Sequence, residues 1–269
     1  MSGSRDEKIT RMNICEIVFS PTGATRRAAD VVSGRLAERL GCGSRTLDLM
    51  RREGSWRGAS CSGDEVAVIA VPSFGGRVPS VAAERLAAVD GGGARAVLVC
   101  AYGNRAFEDT IAELEDVATA AGFRVVAAVA AVTEHSIVRR YGAGRPDEED
   151  VRRLGGYADR IAERLAAGAA GPLSPLPGNR PYRESKRVGL VPEPTRSCTG
   201  CGACAARCPV GAIAADDVRK VDAGKCISCM ACVAVCPEGA RRISRLKMAA
   251  VTAMLRKVCS ERRESELFL

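Results

Sequence analysis

The sequence contains few aromatic residues and almost no histidine. Phe, Trp and Tyr together make up 4% of the 269 residues, and there is one histidine. The formal net charge of +8 would ordinarily suggest nucleic acid as a ligand. However, proteins that bind single strands stack the bases on aromatic side chains, and no nucleic-acid-binding motif is present. We therefore do not expect a nucleic-acid partner.

Several common motifs and targeting segments are also missing. No Gly-x-x-x-x-Gly-Lys-Ser/Thr sequence is present, which argues against a nucleoside triphosphatase. No Gly-x-Gly-x-x-Gly sequence is present, which argues against a dinucleotide site. No apolar run is long enough to span a bilayer, and no export signal is visible. We expect a cytoplasmic protein without a membrane span, in a reducing and anaerobic setting.

Cysteine, by contrast, is abundant, and eight of the thirteen cysteines form two copies of one pattern. Each copy has the spacing Cys-x-x-Cys-x-x-Cys-x-x-x-Cys-Pro, at Cys198, Cys201, Cys204 and Cys208 and again at Cys226, Cys229, Cys232 and Cys236. This spacing is typical of chains that carry two [4Fe–4S] clusters. Structural zinc is the main alternative, but its ligands usually come as two separated pairs. Disulfides would require an oxidising compartment.

The spacing also predicts which cysteines share a cluster. Three closely spaced cysteines wrap one cluster, and the fourth reaches the neighbouring one. We assign the first cluster to Cys198, Cys201, Cys204 and Cys236, and the second to Cys226, Cys229, Cys232 and Cys208. The pattern resembles that of bacterial two-cluster ferredoxins, which implies a small α+β domain at 195–245. A segment this short depends on its clusters for much of its folding free energy.

The larger part of the chain, residues 12–167, alternates between two patterns. Short apolar runs, typical of buried strands, occupy 14–19, 66–71, 96–101 and 123–132. Helical periodicity occupies 24–40, 107–121 and 147–166. This alternation predicts a doubly wound α/β domain with a parallel sheet. A ligand of such a domain binds at the carboxyl ends of the strands.

The loop after the first predicted strand is suited to hold a phosphate. It combines small hydroxyl side chains with the start of a helix, whose backbone N–H groups and dipole attract anions. The loop resembles the FMN-phosphate loop of flavodoxins, and the matching residues are Ser20, Thr22, Gly23, Ala24 and Thr25. The resemblance implies a flavodoxin-like, five-stranded sheet that binds FMN.

The next two strand-end loops resemble the flavodoxin loops that hold the flavin ring. The resemblance assigns flavin contacts to Ser73, Phe74, Gly75 and Gly76 in one loop and to Tyr102, Gly103 and Asn104 in the other. Phe74 and Tyr102 are candidates to stack on the ring, although Phe74 could instead anchor its loop to the core.

Charged and titratable groups near these loops suggest further roles. Arg77 and Arg105 lie beside the loops, where flavodoxins carry acidic residues, so we expect a less negative FMN potential. His135, after the last long strand, is a candidate proton donor and the only candidate catalytic residue. A structural role for His135 is the alternative.

Taken together, the chain resembles flavodoxin–ferredoxin fusion proteins over nearly its whole length. We expect five segments: an N-terminal tail (1–11), the FMN domain (12–167), a Pro/Gly-rich linker (168–194), the two-cluster domain (195–245) and a C-terminal helix and tail (246–269). The linker also carries Arg183, Lys186 and Arg187, which either dock a partner or are simply solvated.

The predicted function is low-potential electron transfer between the two clusters and FMN, and on to a redox partner protein. Two alternatives remain open. One is a flavin-dependent reductase of a small acceptor, such as a quinone, a nitro compound or a disulfide. The other is a cluster-bearing sensor that does not bind FMN tightly.

Overall fold

The computed structural model describes residues 12–168, 174–185 and 188–269. The predicted tail at 1–11 lies outside the described residues. The elements of the larger part are, in order, β1 (Asn13–Val18), α1 (Ala24–Leu40), β2 (Ser44–Asp48), β3 (Glu65–Pro72), α2 (Ser80–Leu86), β4 (Arg95–Tyr102), α3 (Thr110–Ala120), β5 (Arg124–Val132) and α4 (Glu148–Ala166). The remainder contributes β6 (Glu193–Pro194), α5 (Ala203–Arg207), α6 (Ala231–Ala234), β7 (Arg241–Arg242), α7 (Arg245–Cys259) and β8 (Glu266–Phe268).

Five parallel strands form the sheet of the larger part, in the order β2-β1-β3-β4-β5. This is the strand order of flavodoxin-like doubly wound folds, so the predicted fold class is confirmed. The order places the loops that follow β1, β3 and β4 next to one another at the carboxyl edge of the sheet. That edge is where such folds bind their ligands.

Both faces of the sheet are buried, which explains why its strands are apolar at successive positions. In β3, Ala67, Ile69 and Val71 face a core layer shared with α2 and α3. The residues between them face a second layer shared with α1 and α4. In the ranges that the structure describes, no helix combines the length and apolar character needed to cross a bilayer.

Local signals set the ends of the two longest helices. Gly23 and Gly41 flank α1 with φ of 90° and 61°, and the Gly41 N–H bonds to carbonyls of the last turn. At the start of α4, the Asp147 side chain accepts a hydrogen bond from the Asp150 N–H, and the Asp150 side chain accepts one from the Asp147 N–H. Since α1 follows the loop after β1, its N-terminus lies at the carboxyl edge of the sheet.

The C-terminal segment returns to the larger part and adds a sixth strand to its sheet. β8 pairs antiparallel with β5, beyond the five strands that were predicted. The Asn104 side chain holds the approach to this strand: it donates to the carbonyls of Cys259 (2.8 Å) and Glu261 (2.7 Å) and accepts from the Arg263 N–H (3.0 Å). The segment thus closes over the loop that follows β4.

The described part of the linker lies along α3. Arg180 forms an ion pair with Asp116, and the Asn179 backbone and side chain both donate to Asp109. Arg183 is exposed and forms an ion pair with Glu108 of the same chain. Lys186 and Arg187 lie outside the described residues.

Replacing Asn104 with glycine tests its contribution to closing the C-terminal segment. Asn104 has a φ of 60°, so glycine removes the side chain without adding backbone strain. Three backbone groups lose their partner, at a cost of about 2–4 kcal/mol. Hydrogen exchange of residues 260–268 should accelerate accordingly.

Asn13→Gly, at an exposed position at the start of β1, serves as the control and should leave that exchange unchanged. Equal protection of 260–268 in Asn104→Gly and the native protein would show that Asn104 does not hold the segment.

Candidate functional site

A groove runs along the carboxyl edge of the sheet, where the sequence predicted the ligand. At one end it forms a cavity of about 330 Å³. The cavity is lined by the loop after β1, by the loops after β3 and β4, and by a further loop after β5 that contributes Thr133, Glu134 and Ser136. Four strand-end loops therefore converge on this end of the groove.

The start of α1 gives this end an affinity for anions. The Arg26 N–H bonds to Ser20 Oγ at 2.9 Å. The N–H groups of Thr22, Gly23, Ala24 and Thr25 have no acceptor within the described residues. The first turn of α1 contains no acidic residue. Together with the Thr22 and Thr25 side chains, these donors fit a phosphate group.

The other end of the groove is a larger cavity, of about 890 Å³. One side is formed by the predicted loop residues Ser73, Phe74, Gly75, Gly76 and Gly103. The opposite side was not predicted: it comes from α7 (Val251, Met254, Leu255), from Val188 and from the loop residues Ile227 and Ser228. The mostly apolar lining fits a planar ring system better than a charged ligand.

Two glycines of these loops could not be replaced without a steric conflict. A Cβ on Gly76, which has φ of 84°, would collide with the Glu108 carboxylate. A Cβ on Gly103 would lie 2.7 Å from His135 Cδ2. Close packing around the cavity therefore requires glycine at both positions.

Both arginines that flank the loops have a carboxylate partner. Arg77 forms a double hydrogen bond with Glu113 (2.7 and 2.8 Å), and Arg105 does the same with Glu108 (2.9 and 2.7 Å). Glu108 also pairs with Arg183, so two arginines share one carboxylate beside the larger cavity. The less negative flavin potential stays a prediction.

Two predicted flavin contacts lie away from the groove. Tyr102 is buried under its loop, with its ring 5.4 Å from that of Phe107 and its hydroxyl bonded to the Glu264 carbonyl. Asn104 is buried and occupied by the C-terminal segment. Because the chain turns inward at the end of β4, both side chains are directed into the core. The residues of this loop that line the groove are Gly103, Arg105 and Ala106.

His135 lines the larger cavity, and its hydrogen bonds and its pKa together indicate which ring nitrogen carries the proton. Its Nδ1 accepts hydrogen bonds from the N–H groups of Ile137 (3.2 Å) and Val138 (3.1 Å). Burial, and then the charge of Arg105, lower its pKa to about 4. At neutral pH the imidazole is therefore neutral with its proton on Nε2, and it offers a hydrogen bond rather than a spare proton.

The eight cysteines of the repeated pattern surround two further cavities, of about 310 and 370 Å³. The first is lined by Cys198, Cys201, Cys204 and Cys236, and the second by Cys208, Cys226, Cys229 and Cys232. The fourth cysteine of each repeat thus lies with the three of the other repeat. In the part of the chain described, no three His, Cys, Asp or Glu side chains converge closely enough for a single metal ion.

The loops around the two cavities have the same backbone but different residues. Gly200 and Gly202 take positive φ in the first repeat, and Ser228 and Met230 take it at the same positions in the second, with φ of 54° and 62°. Such angles strain non-glycine residues by roughly 1 kcal/mol each. The side chains explain their presence: Ser228 accepts the Leu190 N–H, and Met230 packs on Leu190.

The chemistry of the cavity walls fits iron–sulfur clusters. Burial raises the pKa of Cys229 to about 12 and that of Cys232 to about 11, so these thiols stay protonated at neutral pH unless a bound metal displaces the proton. The sulfurs of Cys208 and Cys236 accept backbone N–H bonds of 3.3 and 3.2 Å. Beside the first cavity lies Arg241, a fully buried cation whose Nε has no partner. An anionic cluster would compensate that charge.

The second cysteine cavity shares a wall with the groove. Cys229 lines both that cavity and the smaller end of the groove, and Ile227 lines both that cavity and the larger end. Cys229 and Ala231 also belong to the core layer of the parallel sheet.

Two buried or half-buried arginines hold this junction together. Arg85 of α2 donates to the Pro209 carbonyl at 2.5 Å, and Arg207 donates to the Ser20 carbonyl at 3.3 Å. The cysteine-rich part is therefore attached beside the smaller end of the groove.

The protonation state of His135 can be observed directly, because the chain contains no other histidine. In protein labelled with ¹⁵N-histidine, NMR should show one neutral imidazole with its proton on Nε2. Since the folded pKa is about 4, the signal should not titrate between pH 8 and pH 5. A midpoint near 6.5, the value of a solvated histidine, would contradict this assignment.

Residues 185–241 match the family model of the 4Fe–4S dicluster domain. No curated protein matches the chain. Among solved structures, a flavodoxin from Streptococcus pneumoniae TIGR4 is 20% identical with a TM-score of 0.37, covering 59% of this chain and 99% of its own. An archaeal flavodoxin is 13% identical with a TM-score of 0.38, covering 58% and 99%. An azoreductase from Bacillus anthracis is 11% identical with a TM-score of 0.39, covering 57% and 99%.

The dicluster match agrees with the cysteine pattern, and the flavodoxin-like topology rests on the strand order itself. The chain therefore joins a flavodoxin-like α/β domain to a 4Fe–4S dicluster domain.

Proposed function

We propose that this protein transfers electrons at low potential between two [4Fe–4S] clusters and FMN, and exchanges them with a redox partner protein. A cluster accepts one electron at a time, whereas FMN accepts one or two. A chain that holds both can connect one-electron and two-electron donors or acceptors.

The groove has the features that FMN binding requires. The unpaired N–H groups at the start of α1 and the hydroxyls of Thr22 and Thr25 would hold the phosphate, which is supported by the position of Thr22, Ala24 and Thr25 in the wall of the smaller cavity. The larger cavity takes the ring, with Phe74 and the two glycines Gly75 and Gly76 on one side. His135 offers its Nε2 proton as a fixed hydrogen-bond donor on the cavity wall.

The cysteine cavities supply the ligands for the clusters. We assign the first cluster to Cys198, Cys201, Cys204 and Cys236 and the second to Cys208, Cys226, Cys229 and Cys232, because each set lines one cavity. Cys201 is exposed, whereas Cys208, Cys229 and Cys232 are buried. The first set is therefore the more exposed of the two, although Cys204 within it is buried.

The observation that carries the proposal is the shared wall at Ile227–Cys229. A cluster that merely stabilised the fold would not need to lie against a ligand groove. Here one loop provides a cluster ligand, Cys229, and at the same time forms part of both ends of the groove. The second cluster is thereby the one adjacent to FMN, and the first is the one adjacent to solvent.

A flavin-dependent reductase of a small acceptor is the second candidate. At the mouth of the larger cavity Met254 and Val188 are exposed, so a small acceptor could reach the cavity from solvent. Rapid oxidation of the reduced protein by a small quinone, without any protein acceptor, would favour this candidate. Turnover only with a protein acceptor would favour the carrier.

The cofactor content tests the proposal first. Protein purified anaerobically should contain about eight irons and one FMN per chain, as expected for two four-iron clusters and one flavin. Iron without flavin would favour the sensor, and flavin with four irons would exclude the second cluster.

Single-cysteine variants test the assignment of ligands. Cys236→Ala should damage the first cluster and Cys208→Ala the second, although each residue belongs to the other repeat in sequence. Iron analysis and the EPR signals of the reduced clusters would distinguish them. Cys259→Ala, outside the repeats, is the control and should retain all of the iron. Loss of the second cluster in Cys236→Ala would overturn the pairing.

A further inference from the structure

Five of the thirteen cysteines lie outside the repeated pattern, and two of these five contact each other. Cys15 lies in β1 and is fully buried, whereas Cys61 lies in the loop between β2 and β3 and keeps 6% of its surface exposed. The Cys15 thiol donates a hydrogen bond to the Cys61 sulfur. Two thiols in direct contact are candidates for disulfide chemistry.

The thiol pair lies at the opposite edge of the sheet from the groove. Cys15 is the third residue of β1 and is paired with Arg45, near the start of β2. The starts of parallel strands lie at the amino edge of a sheet, whereas the groove occupies the carboxyl edge. Neither Cys15 nor Cys61 lines the groove or a cysteine cavity. The pair is therefore separate from the proposed FMN and cluster sites.

Arg45 places a positive charge beside Cys61. Its Nη2 lies 3.6 Å from the Cys61 sulfur. The guanidinium is fixed by the Glu65 carboxylate, at 2.8 and 3.0 Å, and by the Ser60 carbonyl, at 2.9 Å. The Cys61 N–H in turn donates to the Asp90 carbonyl at 2.8 Å. The cation and the sulfur are thus both held in position.

These contacts give the two thiols different acidities. The hydrogen bond from Cys15, and then the charge of Arg45, lower the pKa of Cys61 below that of an ordinary thiol. Burial and the Glu65 carboxylate oppose this shift without reversing it. The same hydrogen bond, and then burial, raise the pKa of Cys15. Cys61 is therefore the one that carries thiolate, the form that reacts with oxidants.

We propose that Cys15 and Cys61 form a redox-active thiol pair that hydrogen peroxide converts into a disulfide. This chemistry goes beyond the proposed electron transfer and depends on neither FMN nor a cluster. Peroxide is small enough to reach the exposed edge of Cys61, whereas Cys15 is closed to solvent. In a reducing compartment such a disulfide forms on oxidation and is reduced again by other thiols.

The reaction takes two steps. The Cys61 thiolate attacks one oxygen of peroxide, so that an S–O bond forms, the O–O bond breaks, and hydroxide leaves and takes up a proton. The Cys15 sulfur then attacks the Cys61 sulfur, so that an S–S bond forms, the S–O bond breaks, and the hydroxyl leaves as water with the Cys15 proton. The two thiols thus supply the two electrons that reduce one peroxide to two water molecules.

The rival explanation is that both cysteines only fill the core, as buried cysteines commonly do. Cys100 in β4 provides an internal comparison. It is fully buried and burial raises its pKa, but its side chain hydrogen-bonds to Thr110 rather than to another thiol. A packing role predicts that peroxide leaves Cys15, Cys61 and Cys100 alike as free thiols.

Peptide mapping of the holoprotein tests the proposal. Protein purified anaerobically is treated with equimolar hydrogen peroxide, unfolded in N-ethylmaleimide and digested without reductant. Mass spectrometry should find a peptide in which Cys15 is linked to Cys61, and dithiothreitol added before alkylation should remove the link. Free thiols at both positions, or Cys61 oxidised to sulfinic acid without a link, would show that the pair only fills the core.

Variants test the order of the steps. Cys15→Ser keeps a hydrogen-bond donor for Cys61 but removes the second thiol, so a sulfenic acid should accumulate at Cys61 and be trapped by dimedone. Arg45→Gln should slow formation of the link several-fold, and Arg45→Lys much less. Cys100→Ala is the matched control and should form the link at the native rate. Dimedone labelling of Cys15 in Cys61→Ser as strong as that of Cys61 in Cys15→Ser would overturn the assigned roles.

The outcome is independent of the cofactors. Iron and FMN contents are measured separately, so a missing link leaves the proposed function intact, and a missing cofactor leaves the link as expected. If Cys15→Ser fails to fold, the peptide map of the native protein and the rates of the two Arg45 variants still decide the matter.

Discussion

The arrangement of the whole molecule depends on one loop, Ile227–Cys229, that has to fit two neighbours. On one side it lines a cavity with three more cysteines, and on the other it forms part of the groove above the parallel sheet. Ser228 and Met230 take positive φ in and beside this loop, where both contact Leu190. In the first repeat glycine takes the corresponding positions.

The rest of the chain keeps this loop in place from three directions. Arg85 and Arg207 connect the cysteine-rich part to the edge of the sheet, and the linker lies along α3. α7 then covers the larger end of the groove, and β8 completes the sheet at β5. The chain therefore contacts the flavodoxin-like domain both before the dicluster domain, through the linker, and after it, through α7 and β8. These two attachments limit how far the dicluster domain can move from the groove.

The features that could be predicted from sequence depend on local rules. The spacing of the cysteines, the bounds of α1 and the loop that begins at Ser20 all follow from chemistry or periodicity within a few residues. The inward turn of Tyr102 and Asn104 could not be predicted, because it depends on contacts with residues 259–264, which are distant in sequence. β8 is three residues long and is a strand only because β5 offers it an edge. Helical periodicity likewise predicted α7 but not the surface that it covers.

The most direct test of this account is the fluorescence lifetime of bound FMN. An iron–sulfur cluster quenches an excited flavin with an efficiency that falls steeply with distance, so the cluster that shares a wall with the groove should dominate. The account predicts a short lifetime in the native protein and in Cys201→Ala, which impairs the first cluster, and a much longer one in Cys232→Ala, which impairs the second. An unchanged lifetime in Cys232→Ala, with lengthening in Cys201→Ala, would contradict it.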